Sequence, residues 1–272
     1  MEFVKLSPTE NMTLLVTSGH PSAHYPAIAA QLLQTQHVHA EQVGFIRTAS
    51  TPEAHARLHM AGDEFCGNAC MALAAYLAAH GGLLPGRSQQ ITLEASGTSR
   101  AVRCLVEHRD AGYHCQLSVP GPLRVEPYRF PGAETAPCAL LRYPEAIHLV
   151  LEGNPADPHL RAAAQDHARN LALRTGIALV GVMLYDPIRQ QLAPLIHVPA
   201  LDSMVFERSC GSGTGAVGAY LAATGGRSIS TAVHQPGGTM HVNAQYTQGT
   251  VTELGIGGQV RIIAEGTAYV HI

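Results

Sequence analysis

One seventeen-residue stretch occurs twice in this 272-residue chain, first over Cys66 to Gly82 and again over Cys210 to Gly226. Aligned without a gap, ten of the seventeen positions are identical, including the Cys-Gly opening, an Ala-Tyr-Leu-Ala-Ala core and the closing Gly-Gly. Each copy begins with small residues and continues into strong helix formers. Each stops at a glycine pair suited to a left-handed cap. The pattern predicts a turn, a helix with a cysteine at its amino end, and a stop, made twice. Two such units predict a two-lobed chain that sets Cys66 and Cys210 facing each other.

That placement carries chemistry. A cysteine at a helix amino end feels the positive end of the helix dipole, which lowers its pKa and favours thiolate. The backbone N–H groups that follow, at Gly67, Asn68 and Ala69 and at Gly211, Ser212 and Gly213, can bind an anion such as a carboxylate. With two such ends across one amino acid, one thiolate removes the α-proton and the opposite thiol returns a proton to the other face. The amides and dipoles stabilise the charge that develops on the carboxylate. This inverts a stereocentre without a cofactor. Cys70 lies one turn inside its helix and has Thr214 as its counterpart, so it reads as a packing residue.

Composition closes off several alternatives. Lys5 is the only lysine, and a residue so near the start is a poor Schiff-base partner for pyridoxal phosphate. No cofactor is therefore expected. Six cysteines are too sparse for a disulfide scaffold. Cys66 and Cys70 have no second pair at zinc spacing, and the sixteen histidines are scattered, so no metal site is expected. A net charge of −3 supplies no basic field for nucleic acid. No uninterrupted apolar run approaches the roughly 18 residues of a membrane span. The start lacks the regions of a signal peptide, which predicts a cytoplasmic protein.

Strand-like alternation marks Phe3–Leu6 and Thr13–Val16 around a turn, then Glu41–Ile46 and Ala56–Met60, with helical composition over Tyr25–Leu33. After the first repeat come Gln90–Glu94, Arg100–Val106 and His114–Val119, an antiparallel look. Pro120-Gly-Pro122 is the candidate linker, because neither residue type continues sheet or helix. The second half repeats the plan: a strand at Ala146–Leu151, a helix over Pro158–Leu173, and strands at Ile177–Tyr185 and Gln191–Val198 before the second repeat. Strands at Ser228–Val233, Thr239–Val242, Gly258–Ala264 and Ala268–Ile272 close the chain. The class is α+β with internal duplication.

The motifs Phe65-Cys-Gly-Asn-Ala69 and Ser209-Cys-Gly-Ser-Gly-Thr214 resemble the two catalytic-cysteine motifs of the diaminopimelate epimerase superfamily. Asn11-Met-Thr13, Glu41-Gln42, His234-Gln-Pro-Gly-Gly238 and Gly266-Thr-Ala268 fit the same pattern, so the resemblance spans nearly the whole chain. It implies two pseudo-symmetric β-barrel-like lobes, each around a central helix, with the final strand returning to the first: 1–119 plus 259–272, and 120–258. It implies Cys66 and Cys210 as the catalytic pair. Asn11, Glu41, Gln42, Gly67, Asn68, Glu207, Gly211 and Ser212 are the implied substrate-binding positions. Glu207 and Glu41 are candidate acceptors for an ammonium or an imidazole N–H. A homodimer is a further expectation from the superfamily.

Within the superfamily the chain is most similar to histidine racemases that supply D-histidine for staphylopine-type, opine-class metallophores. Diaminopimelate needs partners for a second amino-carboxylate centre. The stretches that provide them are replaced here by Met60-Ala-Gly-Asp63, Ala146-Ile-His148, Gly181-Val-Met183 and Phe206-Glu-Arg-Ser-Cys210. A buried distal charge without partners is costly, so a one-centre substrate is expected. A diaminopimelate or proline-type epimerase is the same-class alternative. A phenazine-type isomerase and a non-catalytic amino-acid binder are the others.

Overall fold

The computed structural model describes residues 1–271, with Leu201 described in its backbone alone. The chain divides into two compact units, Met1–Ser118 with Gly257–Ile272, and Val119–Ile256.

The first unit contains strands β1 (Glu2–Pro8) and β2 (Thr13–Val16), helix α1 (Tyr25–Leu32), and strands β3 (Gln42–Arg47) and β4 (Ala56–Met60). Helix α2 (Gly67–His80) and strands β5 (Ser88–Ala95), β6 (Val102–Arg109) and β7 (Gly112–Ser118) follow. Strands β1 to β7 neighbour one another in chain order. The order closes because the last strand of the chain lies beside β7 and also pairs antiparallel with β1, with Glu2 opposite Thr267. Two crossover steps in the connectivity matter for the site. β2 pairs parallel with β3 across α1, and β4 pairs parallel with β5 across α2; parallel neighbours need a crossover of this length.

Helix α2 packs against all seven of these strands. Its sequence explains why: Gly67 to Ala75 and Ala78 are buried, so the helix is apolar nearly all round and opens to solvent only toward its end, where His80 is exposed. Helix α1 has one buried side, where Tyr25, Ile28 and Leu32 meet Leu14, Val16 and Phe45.

The second unit contains β8 (Arg124–Pro127), β9 (Cys138–Arg142), β10 (Ala146–Glu152), helix α3 (Pro158–Thr175), β11 (Leu179–Asp186), β12 (Gln191–Val198) and β13 (Ser203–Phe206). Helix α4 (Gly211–Gly225), β14 (Ile229–Gln235), β15 (Gly238–Thr247) and β16 (Thr250–Thr267) complete the chain, β16 giving its first residues to this unit and the rest to the other. The connections repeat the first unit's plan. β10 pairs parallel with β11 across α3, and β12 pairs parallel with β14 across α4. Helix α3 buries Ala164, Ala168 and Ala172, one small residue per turn, against Leu149, Leu151, Val180 and Val182. Helix α4 packs on β10, β11, β14 and β15 and is buried nearly all round, like α2.

Both repeated stretches end as their glycines require. The second glycine of each pair is left-handed, Gly82 at φ 73° and Gly226 at φ 62°. The expected closing strand does not extend over the described residues 268–271, and Ile272 lies outside the described residues. The tail's backbone is taken up by side chains instead. Gln31 donates to the His271 carbonyl at 2.6 Å and accepts from the His271 N–H at 3.0 Å, and the His37 ring contacts the Tyr269 carbonyl at 2.9 Å. Strands β8, β9 and β13 were not expected from the sequence.

Candidate active site

Cys66 is the residue immediately before α2, with an extended backbone at φ −129° and ψ 109°, and its Sγ accepts from the Ala69 N–H at 3.4 Å. Cys210 caps α4 in the same way, at φ −134° and ψ 116°, its Sγ accepting from the Gly213 N–H at 3.4 Å. Each sulfur occupies the position usually given to a Ser, Thr, Asp or Asn cap. Both therefore sit where the first helical amides converge and where an anion is favoured.

In the first unit the approach to Cys66 is pinned from below. The Ser96 hydroxyl accepts from the Met60 N–H at 2.9 Å and donates to the Glu64 carbonyl at 2.9 Å. Gly97 follows at φ 69°, and a Cβ there would overlap the backbone nitrogen of Phe65. Only glycine allows this closeness. Ahead of the cysteine lies a chain of amides. The Cys66 thiol donates to Gln42 Oε1 at 2.8 Å. Gln42 Nε2 donates to Asn11 Oδ1 at 2.5 Å and to Thr13 Oγ1 at 2.8 Å. The parallel β2–β3 register puts Thr13 opposite Gln42, which brings these side chains together. Asn11 is 2% exposed and follows a turn in which Thr9 and Glu10 both have positive φ, 50° and 61°. Two non-glycine residues in that region cost about 1–3 kcal/mol each, and the turn delivers Asn11 to Gln42. Glu41 is solvent-exposed, its N–H donating to the Met12 carbonyl at 2.8 Å. Gly67 and Asn68 are buried in the first turn of α2.

In the second unit Cys210 is held through its own peptide. Its N–H donates to Gln235 Oε1 at 2.8 Å; Gln235 Nε2 donates to Thr214 Oγ1 at 2.8 Å; Thr214 Oγ1 donates to the Cys210 carbonyl at 2.7 Å. All three residues are buried. Gly213 rests on Met183, whose Sδ would stand 2.5 Å from a Cβ at that position. Ser212 is exposed with its Oγ 3.4 Å from Cys210 Sγ, so its side chain meets the sulfur as well as its backbone. The Glu207 N–H donates to the Pro194 carbonyl at 2.9 Å, and the Glu207 carboxylate accepts from the Cys210 thiol.

The expectation that the helix dipole favours thiolate fails at Cys210. Burial pushes this thiol well above the usual range, and the negative charge and hydrogen bond of Glu207 push the same way. The Ser212 hydroxyl and the Gly213 N–H pull it down, by less. Removing the sulfur from water outweighs what one helix turn supplies. Cys210 is a thiol in this structure. Cys70 is fully buried and burial raises it too, in keeping with a packing role.

Three residues near Cys210 were not singled out from the sequence. Gln235 lay inside a quoted motif, but nothing in its spacing signals a bond to the cysteine's N–H. Tyr143 is raised by burial and then by its nearness to Cys210. His148 is 2% exposed, edge-on to Tyr143 at 5.3 Å, and burial lowers it to about 4, so it is neutral. It stands opposite Gly181 in the β10–β11 register, and a Cβ at Gly181 would overlap its Nδ1.

Among the described residues, no group of three His, Cys, Asp or Glu side chains could hold a metal ion. No helix among them is long and apolar enough to cross a membrane. The Lys5 ammonium donates to the carbonyls of Val38 and His39, at 3.1 and 2.7 Å.

Residues 1–269 match the family model described as the histidine racemase CntK N-terminal domain. A histidine racemase from Staphylococcus aureus is 34% identical over 274 residues, covering 100% of this chain and 98% of the relative. Among solved structures, a probable proline racemase from Agrobacterium radiobacter with bound carbonate superposes with a TM-score of 0.73 at 15% identity, covering 99% of this chain and 93% of the other. A predicted epimerase from Pseudomonas aeruginosa superposes with a TM-score of 0.70 at 17% identity, covering 99% of both. These two likenesses show a mixed α+β fold shared with epimerases and racemases.

Proposed function

The chain belongs to the histidine racemase family, and from that premise we propose how it interconverts L- and D-histidine: a two-base exchange at Cα by Cys66 and Cys210, without a cofactor. The observation that carries this reading is the paired cap. Each cysteine sulfur sits at a helix amino end on the N–H of the third helical residue, and each S–H has an acceptor that holds its proton in place.

The active form holds one thiolate and one thiol. Cys210, kept protonated by burial and Glu207, enters as the acid, and Cys66 then carries the thiolate and takes the α-proton. The electron pair left on Cα delocalises into the substrate carboxylate. The amides at Gly67 and Asn68 and at Gly211 and Ser212 suit that charge. Cys210 gives its proton to the opposite face, and the reverse reaction runs with the roles exchanged. Asn11, Glu41, Gln42 and Glu207 complete the proposed binding residues, the two glutamates being the acceptors for the ammonium and the imidazole N–H. This reading takes the two units as the paired lobes of a diaminopimelate epimerase-like architecture, divided at 119–120 and 258–259. It also takes the enzyme as a cytoplasmic homodimer supplying D-histidine for an opine-type metallophore, on the strength of the family likeness alone.

The substrate is tested by following Cα–H exchange in D₂O over a panel of L-histidine, L-proline, diaminopimelate and neutral amino acids. Exchange is expected with histidine far above the rest. Faster exchange with proline or diaminopimelate overturns the substrate assignment.

A further inference from the structure

We propose that Asn11, Thr13 and Gln42 form a reversible amide relay that serves Cys66 in both of its states, thiol and thiolate. It rests on the reading of Cys66 as an acid/base group and adds positioning residues to it.

A racemase cysteine must exist in both protonation states during each cycle, and the two states ask for opposite partners. A thiol needs an acceptor; a thiolate needs a donor. A primary amide is a neutral side chain that offers both, on atoms exchanged by a half-turn. Gln42 is that group here. The structure holds the thiol state: the Cys66 S–H donates to Oε1, and Nε2 donates to Asn11 Oδ1 and Thr13 Oγ1. When Cys66 gives its proton to Cα, the carbonyl oxygen of Gln42 faces an anion and is repelled. A half-turn of the amide places Nε2–H on the thiolate and Oε1 toward Asn11 and Thr13.

Both of those neighbours can follow. Thr13 Oγ1 now donates to the Asn11 carbonyl at 3.2 Å, and its hydroxyl rotates to donate to Gln42 Oε1. The Asn11 side chain turns to present Nδ2–H to the same atom. Each of the three bonds of Gln42 is replaced by one with donor and acceptor exchanged, Thr13 gives up its bond to the Asn11 carbonyl, and no proton leaves the relay. Asn11 is fixed for this duty by its buried position after the Thr9–Glu10 turn, and Gln42 by its register opposite Thr13. At Cys210 the acceptor is a carboxylate that cannot become a donor while ionised, and a thiolate there would be met by the Ser212 hydroxyl and the Gly213 N–H instead. The two cysteines are therefore managed differently, one by a switch and one by a fixed charge.

The test reads the thiol directly and needs no turnover, so it fails or succeeds independently of the substrate assignment. Alkylation of Cys66 by iodoacetamide is followed across pH by peptide mass spectrometry in wild type, Gln42→Glu, Gln42→Leu, Asn11→Asp and Asn11→Asp with Gln42→Leu. A carboxylate accepts only, so Gln42→Glu holds the thiol state and raises the pH midpoint by about one to two units. Below the midpoint that slows alkylation about tenfold per unit. Asn11→Asp pins Nε2 on itself and keeps Oε1 on the sulfur, so it raises the midpoint by about one unit. That shift disappears when Gln42 is leucine. An unchanged midpoint in Gln42→Glu overturns the relay. An Asn11→Asp shift that persists in the Gln42→Leu background also overturns it, since the charge would then act on the sulfur without the amide.

Discussion

The Gln235 clamp makes a demanding prediction because it holds Cys210 by the backbone and not by the sulfur. Replacing Gln235 with leucine keeps the volume and removes two buried hydrogen bonds, one from the Cys210 N–H and one to the Thr214 hydroxyl. Each made bond is worth about 1 kcal/mol, and a buried donor left without a partner costs about 1–3 kcal/mol. The Cys210 N–H becomes such a donor, while Thr214 keeps its bond to the Cys210 carbonyl. The loss should come to about 2–4 kcal/mol, or roughly 4–16 °C in Tm at about 2–4 °C per kcal/mol. Thr214→Val removes the same clamp from its other end. The double variant should therefore lose clearly less than the sum of the two. Denaturant unfolding followed by circular dichroism supplies all four corners of the cycle. A folded Gln235→Leu protein within about 0.5 kcal/mol of wild type, or strict additivity, refutes the clamp. The chemistry should suffer as well, since a shift of about 1 Å in a reacting group costs about a hundredfold in rate.

Two further outcomes follow from single residues. Lys5→Met should keep histidine racemisation, because its ammonium is taken up by the Val38 and His39 carbonyls and the proposed reaction does not use it; a folded variant without activity counts against the cofactor-free account. His148 is neutral in the fold with a pKa near 4 against an ordinary 6.5. The unfolded chain therefore binds the extra proton between those values, and stability is full above pH 6.5 and falls as pH drops toward 4. The fall is about 1.4 kcal/mol per unit, roughly 3 kcal/mol in all, and pH-dependent unfolding of a His148→Gln protein should lack that slope.

Much of this fold is legible in the residues, and what is not has physical reasons. Thr13–Val16, Ala56–Met60 and Gln191–Val198 alternate or run apolar between clear breakers, and they form strands over those same bounds. The two repeated stretches carry their own start and stop, so both helices and both left-handed glycines follow from local chemistry. The strands β8 and β13 are four residues each, too short for a period to show. β9 is a fully apolar run but for its last residue, and periodicity alone does not separate it from a buried helix. The tail reads as strand because Ala268 to His271 alternates, yet Gln31 and His37 claim its backbone. Side chains 232 and 240 residues away leave no local trace.

The site divides the same way. Cysteines at helix amino ends can be read from Cys-Gly before a helix former. The protonation of Cys210 cannot, because it depends on how completely α4 is buried and on where Glu207 points. The pairing of Asn11 with Gln42 is likewise a matter of β2–β3 register, which no motif encodes.

The central claim is that both cysteines exchange protons at one carbon. It is tested most directly by racemisation and Cα–H exchange of L- and D-histidine in D₂O with wild type, Cys66→Ser and Cys210→Ser. Each variant is expected to lose about a hundredfold or more in racemisation, the usual worth of a positioned acid or base, while retaining its fold by circular dichroism. If either serine variant racemises histidine at the wild-type rate, the two-base account is wrong.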